Sequence, residues 1–467
     1  MKLSLTLRRV FTVGGFTACS RVLGFVREML QSRLIGAGVE QSAFTLAFAI
    51  PNMARKLFGE GALTAAFVPI FKDDVERRGL EAAAKLARAV MTMMLLMVGA
   101  IVAIALSGTL VASCVTVQPD AAYRYSLTFS LVAILLPYML AICGAAFGMG
   151  VLNSLGRFKA SSLMPALLNV IWIAALVCLL FLPSLTLRTR IVVIAGAILA
   201  GGFTQFAFML RCMAKVGVKP YPNFSGWRSP SVRLVWRNTA VAAVGAGAVQ
   251  INYMLDQVLG QYAAPWAAGV IGYAERLMDL PLGVVGVAFG TVLLPTFAGH
   301  FAKGDEAGAR AALKSAVRNM LFVMVPVSIL MAIPAVSRFG VALVYQGGQF
   351  DAVATARVTR ALCVYGLGMA FFGVQKCLVP YFQAQKDMKT PLRVSVATVI
   401  LNAALNVLSV VLLPVEYRHV GLAASTSFCA LVGCLLLLRA MKSIEYPKSP
   451  DAFNAKTENM RRSSFLI

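Results

Sequence analysis

Charge is what this 467-residue chain has least of: Asp, Glu, Lys and Arg make up 13% of it, against about 25% in soluble domains. Acids are scarcest, 19 against 43 Lys and Arg. There are two histidines, His300 and His419, read as lying in different loops on opposite sides of a membrane. That argues against a histidine zinc site and against a Ser-His-Asp triad. No G-x-x-x-x-G-K-[ST] loop is present, which argues against direct ATP use. A membrane glycosyltransferase or phosphatase would need clustered acids or histidines near a leaflet. The one acidic pair, Asp73-Asp74, reads as a solvated loop. The nine cysteines show no paired close spacing: Cys19, Cys143, Cys178, Cys212, Cys363, Cys377, Cys429 and Cys434 fall in or at the ends of apolar segments, and Cys114 near an outside loop. They read as packing thiols, not as disulfides or metal ligands. The chain is therefore read as no enzyme, with no metal and no cofactor. Met1 to Arg9 leads into a long charged helix without a small-residue cleavage pattern, so it is not read as a signal peptide.

What is abundant is apolar length. With 59% hydrophobic residues and a mean hydropathy of +0.79, the chain carries seven windows of the roughly 20 residues that a span needs: 90–112, 127–150, 164–182, 191–210, 319–336, 394–413 and 421–438. Five less regular segments, about 8–35, 43–71, 236–260, 265–297 and 353–382, hold charges or several Gly and Pro residues and read as one further helix each. The expectation is an all-α membrane protein of about twelve spans. Loop charge supports the count: with both termini cytoplasmic, inside segments hold 29 Lys and Arg and outside loops 5. The net charge of +24 thus reflects orientation on an anionic leaflet and not nucleic-acid binding.

A weak internal repeat recurs at an offset of about 225 to 230 residues. Phe67-Val68-Pro69-Ile70-Phe71 with Gly79 and Glu81 parallels Leu293-Leu294-Pro295-Thr296-Phe297 with Gly304 and Glu306. Leu152-Asn153 to Arg157-Phe158-Lys159 parallels Phe382-Gln383 to Asp387-Met388-Lys389. The offset spans an even number of helices, so the halves enter the membrane in one direction. They are expected to be two six-helix lobes, 1–220 and 221–442, related by a pseudo-two-fold along the membrane normal about a central cavity, followed by a polar cytoplasmic tail, 443–467. The boundary is the basic Pro- and Gly-rich stretch 216–231.

Four arginines stand inside expected spans: Arg21, Arg27, Arg55 and Arg276. Each costs roughly 2.5–3.5 kcal/mol at mid-bilayer on insertion scales, so each requires a polar environment. Arg21 and Glu28 share a helix face and can pair. Arg33 reads as snorkelling, and Arg27 is the better candidate for a cavity. In 50–61, Pro51, Gly59 and Gly61 predict a bent or broken helix, tolerated at membrane depth where it lines water or a substrate path. Lys56 and Glu60, at i and i+4, can pair and leave Arg55 for another partner. Arg276 sits in Tyr273-Ala274-Glu275-Arg276-Leu277-Met278-Asp279-Leu280-Pro281, followed by Gly286 and Gly290 at GxxxG spacing. Arg27, Arg55 and Arg276 form a candidate anion site between the lobes, because a guanidinium stays charged and holds phosphate or carboxylate with two bonds. The alternative is internal ion pairs that set the fold. Asp256, Asn402 and Asn406 are oxygen-bearing groups at depth, readable as Na⁺ or proton coupling or as a hydrogen-bonded helix contact.

Ser20-Arg21-Val22-Leu23-Gly24-Phe25-Val26-Arg27-Glu28, Ile50-Pro51-Asn52 with Arg55, Phe58-Gly59-Glu60-Gly61-Ala62, Ala66-Phe67-Val68-Pro69 and Tyr273 to Met278 resemble the MurJ (MviN) family of lipid II flippases, within the multidrug, oligosaccharidyl-lipid and polysaccharide exporter superfamily. The resemblance covers residues 1 to about 440. It implies movement of lipid II, the undecaprenyl-pyrophosphate-linked peptidoglycan precursor, from inner to outer leaflet of a bacterial cytoplasmic membrane by alternating access. It assigns Arg27, Arg55 and Arg276 to cavity arginines that receive the pyrophosphate, and Arg21 and Glu60 to other sensitive positions. Membrane lipids and cell-wall synthesis enzymes are the implied partners, with Na⁺, H⁺ or the membrane potential as the driving force. Two positions depart from the family. Gln41-Ser42-Ala43-Phe44 stands where an acid is usual, and twelve spans followed by polar 443–467 stand where fourteen are usual. The rival readings are a cation-coupled exporter of another lipid-linked oligosaccharide or of drugs, and a non-transporting cell-wall assembly scaffold.

Overall fold

A computed structural model describes residues 5–59, 61–114 and 119–443, which fold into α-helices joined by short turns. The helices are α1 Leu5–Ile35, α2 Val39–Ala54, α3 Ala62–Cys114, α4 Pro119–Ser154, α5 Phe158–Leu180, α6 Leu187–Lys215, α7 Pro230–Ala263, α8 Ala267–Ala302, α9 Glu306–Ala332, α10 Pro334–Tyr345, α11 Ala352–Ala384, α12 Lys389–Leu412 and α13 Val415–Ser443. Eight helical stretches among the described residues are long and apolar enough to cross a membrane. The other expected segments, 8–35, 236–260 and 265–297, lie on α1, α7 and α8, which have spanning length, α1 and α7 with the more polar sequences. The chain is a multi-pass membrane protein.

Helices run further than hydropathy alone marks them. Residues 72–88, between the expected spans 43–71 and 90–112, are helical on both sides of Gly79. Asp73–Arg77, Asp74–Arg78 and Glu81–Lys85 pair at i and i+4 along this stretch, which supports a helix in water where apolar periodicity is absent. Asp73 and Asp74 are thus helical, and the helix breaks at Gly79, with φ +80°. His300 likewise sits in the last turn of α8 and His419 in the first turns of α13, so neither is a loop residue. The short α10 fills part of what reads as an outside loop, 337–352. Arg418, beside His419, donates to the carbonyls of Leu413 and Ala263.

The internal repeat is visible in hydrogen bonds. At one turn the N–H of Arg157 donates to Leu152 O at 2.8 Å and that of Gly156 to Asn153 O at 3.0 Å. At the other, Asp387 donates to Phe382 O at 3.0 Å and Lys386 to Gln383 O at 2.9 Å. Both are the same left-handed helix stop, with φ +72° at Gly156 and +62° at Lys386. The other matched pair, Gly79 and Gly304, is left-handed too, at +80° and +70°. There the copies diverge: after Gly304 the carboxylate of Asp305 caps α9, accepting from Gly308 N at 2.8 Å and bonding His300 Nδ1 at 2.8 Å. Leu80 offers no side-chain cap, and helix restarts directly after the Gly79 kink.

Two compact units make up the chain: 1–273 with 338–359 and 406–422, and 274–337 with 360–405 and 423–467. In the first, α4 packs on α3 and α6, and α1 on α5. Its core holds an aromatic stack of Phe44, Phe48, Tyr138 and Trp172, with centroids 5.5–6.2 Å apart. Gly202 of α6 lies so close to the Tyr138 ring that a Cβ there would stand 2.3 Å from it. Close approach through small residues is how helices gain contact in lipid, where the hydrophobic effect does not drive them together. The second unit is built similarly, with Gly368 of α11 against Ser427 of α13 and an aromatic cluster of Phe297, Phe301, Tyr381 and Phe382.

Candidate substrate site

One polar constellation among the apolar helices of the first unit is built around Arg27. Its guanidinium donates through Nη1 to Asn169 Oδ1 at 2.9 Å, pairs through Nη2 with the Glu28 carboxylate, and lies over the Trp172 ring with Cζ 4.2 Å from the centroid. Asn169 and Trp172, at i and i+3, share one face of α5. The Asn169 amide also donates to Ser20 O at 3.0 Å, two helical turns back along α1, so one side chain ties α5 to α1 and aims the arginine. The Arg27 side chain retains 18% exposure. Its Nε–H is buried with no acceptor among the described residues. The unmade hydrogen bond of that buried donor costs about 1–3 kcal/mol.

The sequence pairing of Arg21 with Glu28 is not what forms. Glu28 bonds its neighbour Arg27, and Arg21 is exposed. Adjacent residues on a helix do not face each other; the long guanidinium reaches across because Asn169 and Trp172 draw it to the α5 side.

Arg55 occupies the break between α2 and α3. α2 stops at Ala54 after Pro51, five residues, Arg55–Gly59, form a π-helical turn, and α3 resumes at Ala62. The broken helix expected from Pro51 and the glycines is present, in a form that recurs at functional sites. Gly61 is obligatory here: a Cβ on it would stand 2.2 Å from the Lys56 carbonyl oxygen. Arg55 donates from Nε and Nη2 to Asn52 Oδ1 at 3.2 and 2.9 Å, which fixes its fork one turn back. The Lys56 ammonium lies 5.5 Å from the Tyr253 ring centroid. Its expected partner, Glu60, lies outside the described residues.

Arg276 is half-buried on α8, in the second unit, with Gly286 further along. The GxxxG pair is not a two-glycine contact: the Lys376 stem from α11 lies against Gly286, whereas a Cβ on Gly290 would meet nothing within 4 Å. Asp256 is buried and accepts from Asn406 at 2.6 Å and Asn252 at 3.3 Å, within the first unit. Asn402, one turn before Asn406, instead donates to Thr426 at 3.3 Å within the second.

A second polar network joins the far end of α1 to α2, α7 and α8. Gln31 donates to Gln41 at 3.0 Å and Gln41 to Thr45 at 3.3 Å. Ser42 Oγ accepts from Gly269 N at 2.9 Å and Ser42 O from Gln261 at 2.7 Å, while Tyr273 reaches Gly36 O at 3.3 Å. Gln31, Gln41 and Ser42 are each at most 1% exposed. The positions at which the chain lacks the usual acid therefore form a neutral, buried joint.

Asn169, Trp172 and Lys376 were not singled out by sequence reasoning. A lone Asn within the strongly apolar segment 164–182 was the available signal, since an amide in hydrocarbon requires a partner.

Comparison with known proteins follows this geometry. A family profile described as Lipid II flippase MurJ matches residues 31–451. A probable lipid II flippase MurJ of Rhizobium tropici is 32% identical over 86% of this chain and 75% of its own length. The lipid II flippase MurJ of Burkholderia cenocepacia is 31% identical over 93% of this chain and 83% of its own. Among solved structures, a lipid II flippase MurJ in an inward closed conformation superposes with a TM-score of 0.76 at 23% identity, covering 97% of this chain and 91% of its own. An inward-facing multidrug resistance transporter of the MATE family and MOP superfamily gives 0.71 at 13% identity, covering 91% and 95%. The fold is the one these solved flippase and transporter structures share, and by sequence the chain belongs to the lipid II flippase MurJ family.

Proposed function

We propose that this protein carries lipid II from the inner to the outer leaflet of a bacterial cytoplasmic membrane, with both termini inside, and that Arg27 grips the pyrophosphate. The observation carrying the reading is the Arg27 cradle. A guanidinium held by Asn169 and stacked on Trp172 presents cationic donors that can replace the water a diphosphate loses on leaving the headgroup layer. Cation–π stacking adds about 2 kcal/mol when desolvated and fixes the plane of the fork. Arg55, at the helix break, is the second cation of the proposed set. Arg276 is the third and Arg21 and Glu60 are accessory members, all three resting on sequence. The lipid tail stays in the bilayer while the headgroup crosses. Asp256 with Asn406, and Asn402 with Thr426, are proposed to couple transport to Na⁺ or H⁺, supported by a buried carboxylate already surrounded by amide donors. Cell-wall synthesis enzymes are the proposed partners outside the bilayer.

The test is rescue of a flippase-depleted bacterium, with outward lipid II measured and membrane levels checked. Rescue by wild type and its loss in well-inserted Arg27→Ala, Arg55→Ala and Arg276→Ala variants are expected. Rescue by all three variants would return the arginines to a structural role.

A further inference from the structure

A cavity of about 500 Å³ lies wholly within the second unit, and nothing in the proposed translocation uses it. Its walls are one face of α9, the side chains of Arg310, Leu313, Lys314 and Val317, with Leu378 of α11 and Leu438 and Met441 of α13 opposite. The α9 residues follow i, i+3, i+4, i+7 spacing and so form a continuous strip. Polarity is graded along that strip. Arg310 and Lys314, both exposed, stand nearer the start of α9, and Val317 lies deeper. Leu313 and Leu378 form a buried floor at 3% and 0% exposure. The groove lies between the early turns of the candidate span on α9, Glu306–Ala332, and the last turns of the one on α13, Val415–Met441. Exposed cations beside an apolar slot, near the ends of two spanning helices, match one chemistry: a phosphate on top of an acyl chain. Basic pockets between spanning helices bind anionic lipid headgroups for this reason.

We infer that this groove is a binding site for an anionic phospholipid, with Arg310 and Lys314 on the phosphate and Val317, Leu378 and Leu438 along the first part of an acyl chain. Two cations on one headgroup favour a phosphatidylglycerol over a zwitterionic lipid of the same chains. The site anchors α9 to α13 through a lipid that fills the gap between them.

The purified full chain in detergent, titrated with phosphatidylglycerol or phosphatidylcholine of matched chains, would be followed by native mass spectrometry. At about 1 kcal/mol for each basic residue, phosphatidylglycerol is expected to bind roughly thirtyfold more tightly. Arg310→Gln combined with Lys314→Gln should bring it to the phosphatidylcholine level. Val317→Trp, which fills the slot with both charges intact, should lower retention of phosphatidylglycerol and phosphatidylcholine alike, and covers the case in which the double variant loses its helicity. Arg318→Gln, an exposed charge on the same helix outside the groove, should leave retention unchanged. Equal binding of the two lipids, or full retention in either groove variant, would overturn the assignment. So would displacement of the bound lipid by inorganic phosphate alone, or a dimer dissolved by Val317→Trp, which would make the occupant a free ion or a second copy of the chain.

Discussion

At the residue scale, Arg27 is defined by what it touches. Asn169→Leu removes the acceptor on Nη1 and leaves a charged donor unmatched at depth, a loss of about 1.5–3 kcal/mol. Lipid II translocation is expected to fall roughly tenfold or more, at 1.4 kcal/mol per tenfold, with membrane level preserved. Arg27→Lys should fail as well, because an ammonium cannot bond Asn169 and lie flat on Trp172 at once; full transport by the lysine variant would refute the planar-fork argument. The arginine stands out in the sequence as a charge in an apolar segment. Its partners do not, because α5 is 142 residues away along the chain and no spacing rule links the two.

Helix ends carry the next set of expectations. Lys386 holds a left-handed φ of +62° where its repeat counterpart is Gly156, and a side chain in that region costs about 1–2 kcal/mol. Lys386→Gly should raise the unfolding midpoint, whereas Gly156→Ala should lower it; equal and negligible shifts would contradict the shared turn. At the break, Gly61→Ala places a methyl group against the Lys56 carbonyl, so the π-helical turn and the aim of Arg55 should be lost, read as failed transport by an inserted protein. The cap on α9 is pH-dependent. The Gly308 N–H and then His300 hold the Asp305 carboxyl below its ordinary value. A lowered carboxyl contributes stability that is present above the unfolded value and lost as pH falls through the folded one. The protection factor of the Gly308 amide, its exchange relative to the intrinsic rate at each pH, should therefore fall on acidification through the carboxylate range and hold near neutrality. Pro51 and the paired glycines announced the break and the turns. The helix on either side of Gly79 in 72–88 was less visible, because i and i+4 ion pairs stabilise helix without leaving an apolar stripe.

For the molecule as a whole, the buried joint of Gln31, Gln41, Thr45 and Ser42 is uncharged and closely bonded to α7 and α8. Ser42→Val deprives Gly269 N of its acceptor in a dry site, and about 1–3 kcal/mol of stability should disappear. Thermal unfolding of the detergent-solubilised chain measures it; an unchanged midpoint would mean that water reaches the site. Gln41→Glu should destabilise this arrangement by burying a carboxylate beside Gln31 and Thr45.

The sequence by itself determined the class of this protein: apolar length and scarce charge permit only helices across a bilayer, since every backbone polar group there must be satisfied within its own segment. It also determined the broken helix and the matched turns, because both are written in local residues such as Pro51, Gly79 and Gly156. Tertiary structure decided the rest. Glu28 goes to Arg27 and not to Arg21, Asn402 and Asn406 part to different partners, and Asn169 aims the cation. Those choices depend on which helix faces meet. That is set by close packing at positions such as Gly202 and Gly368, where less than an ångström of approach separates contact from clash.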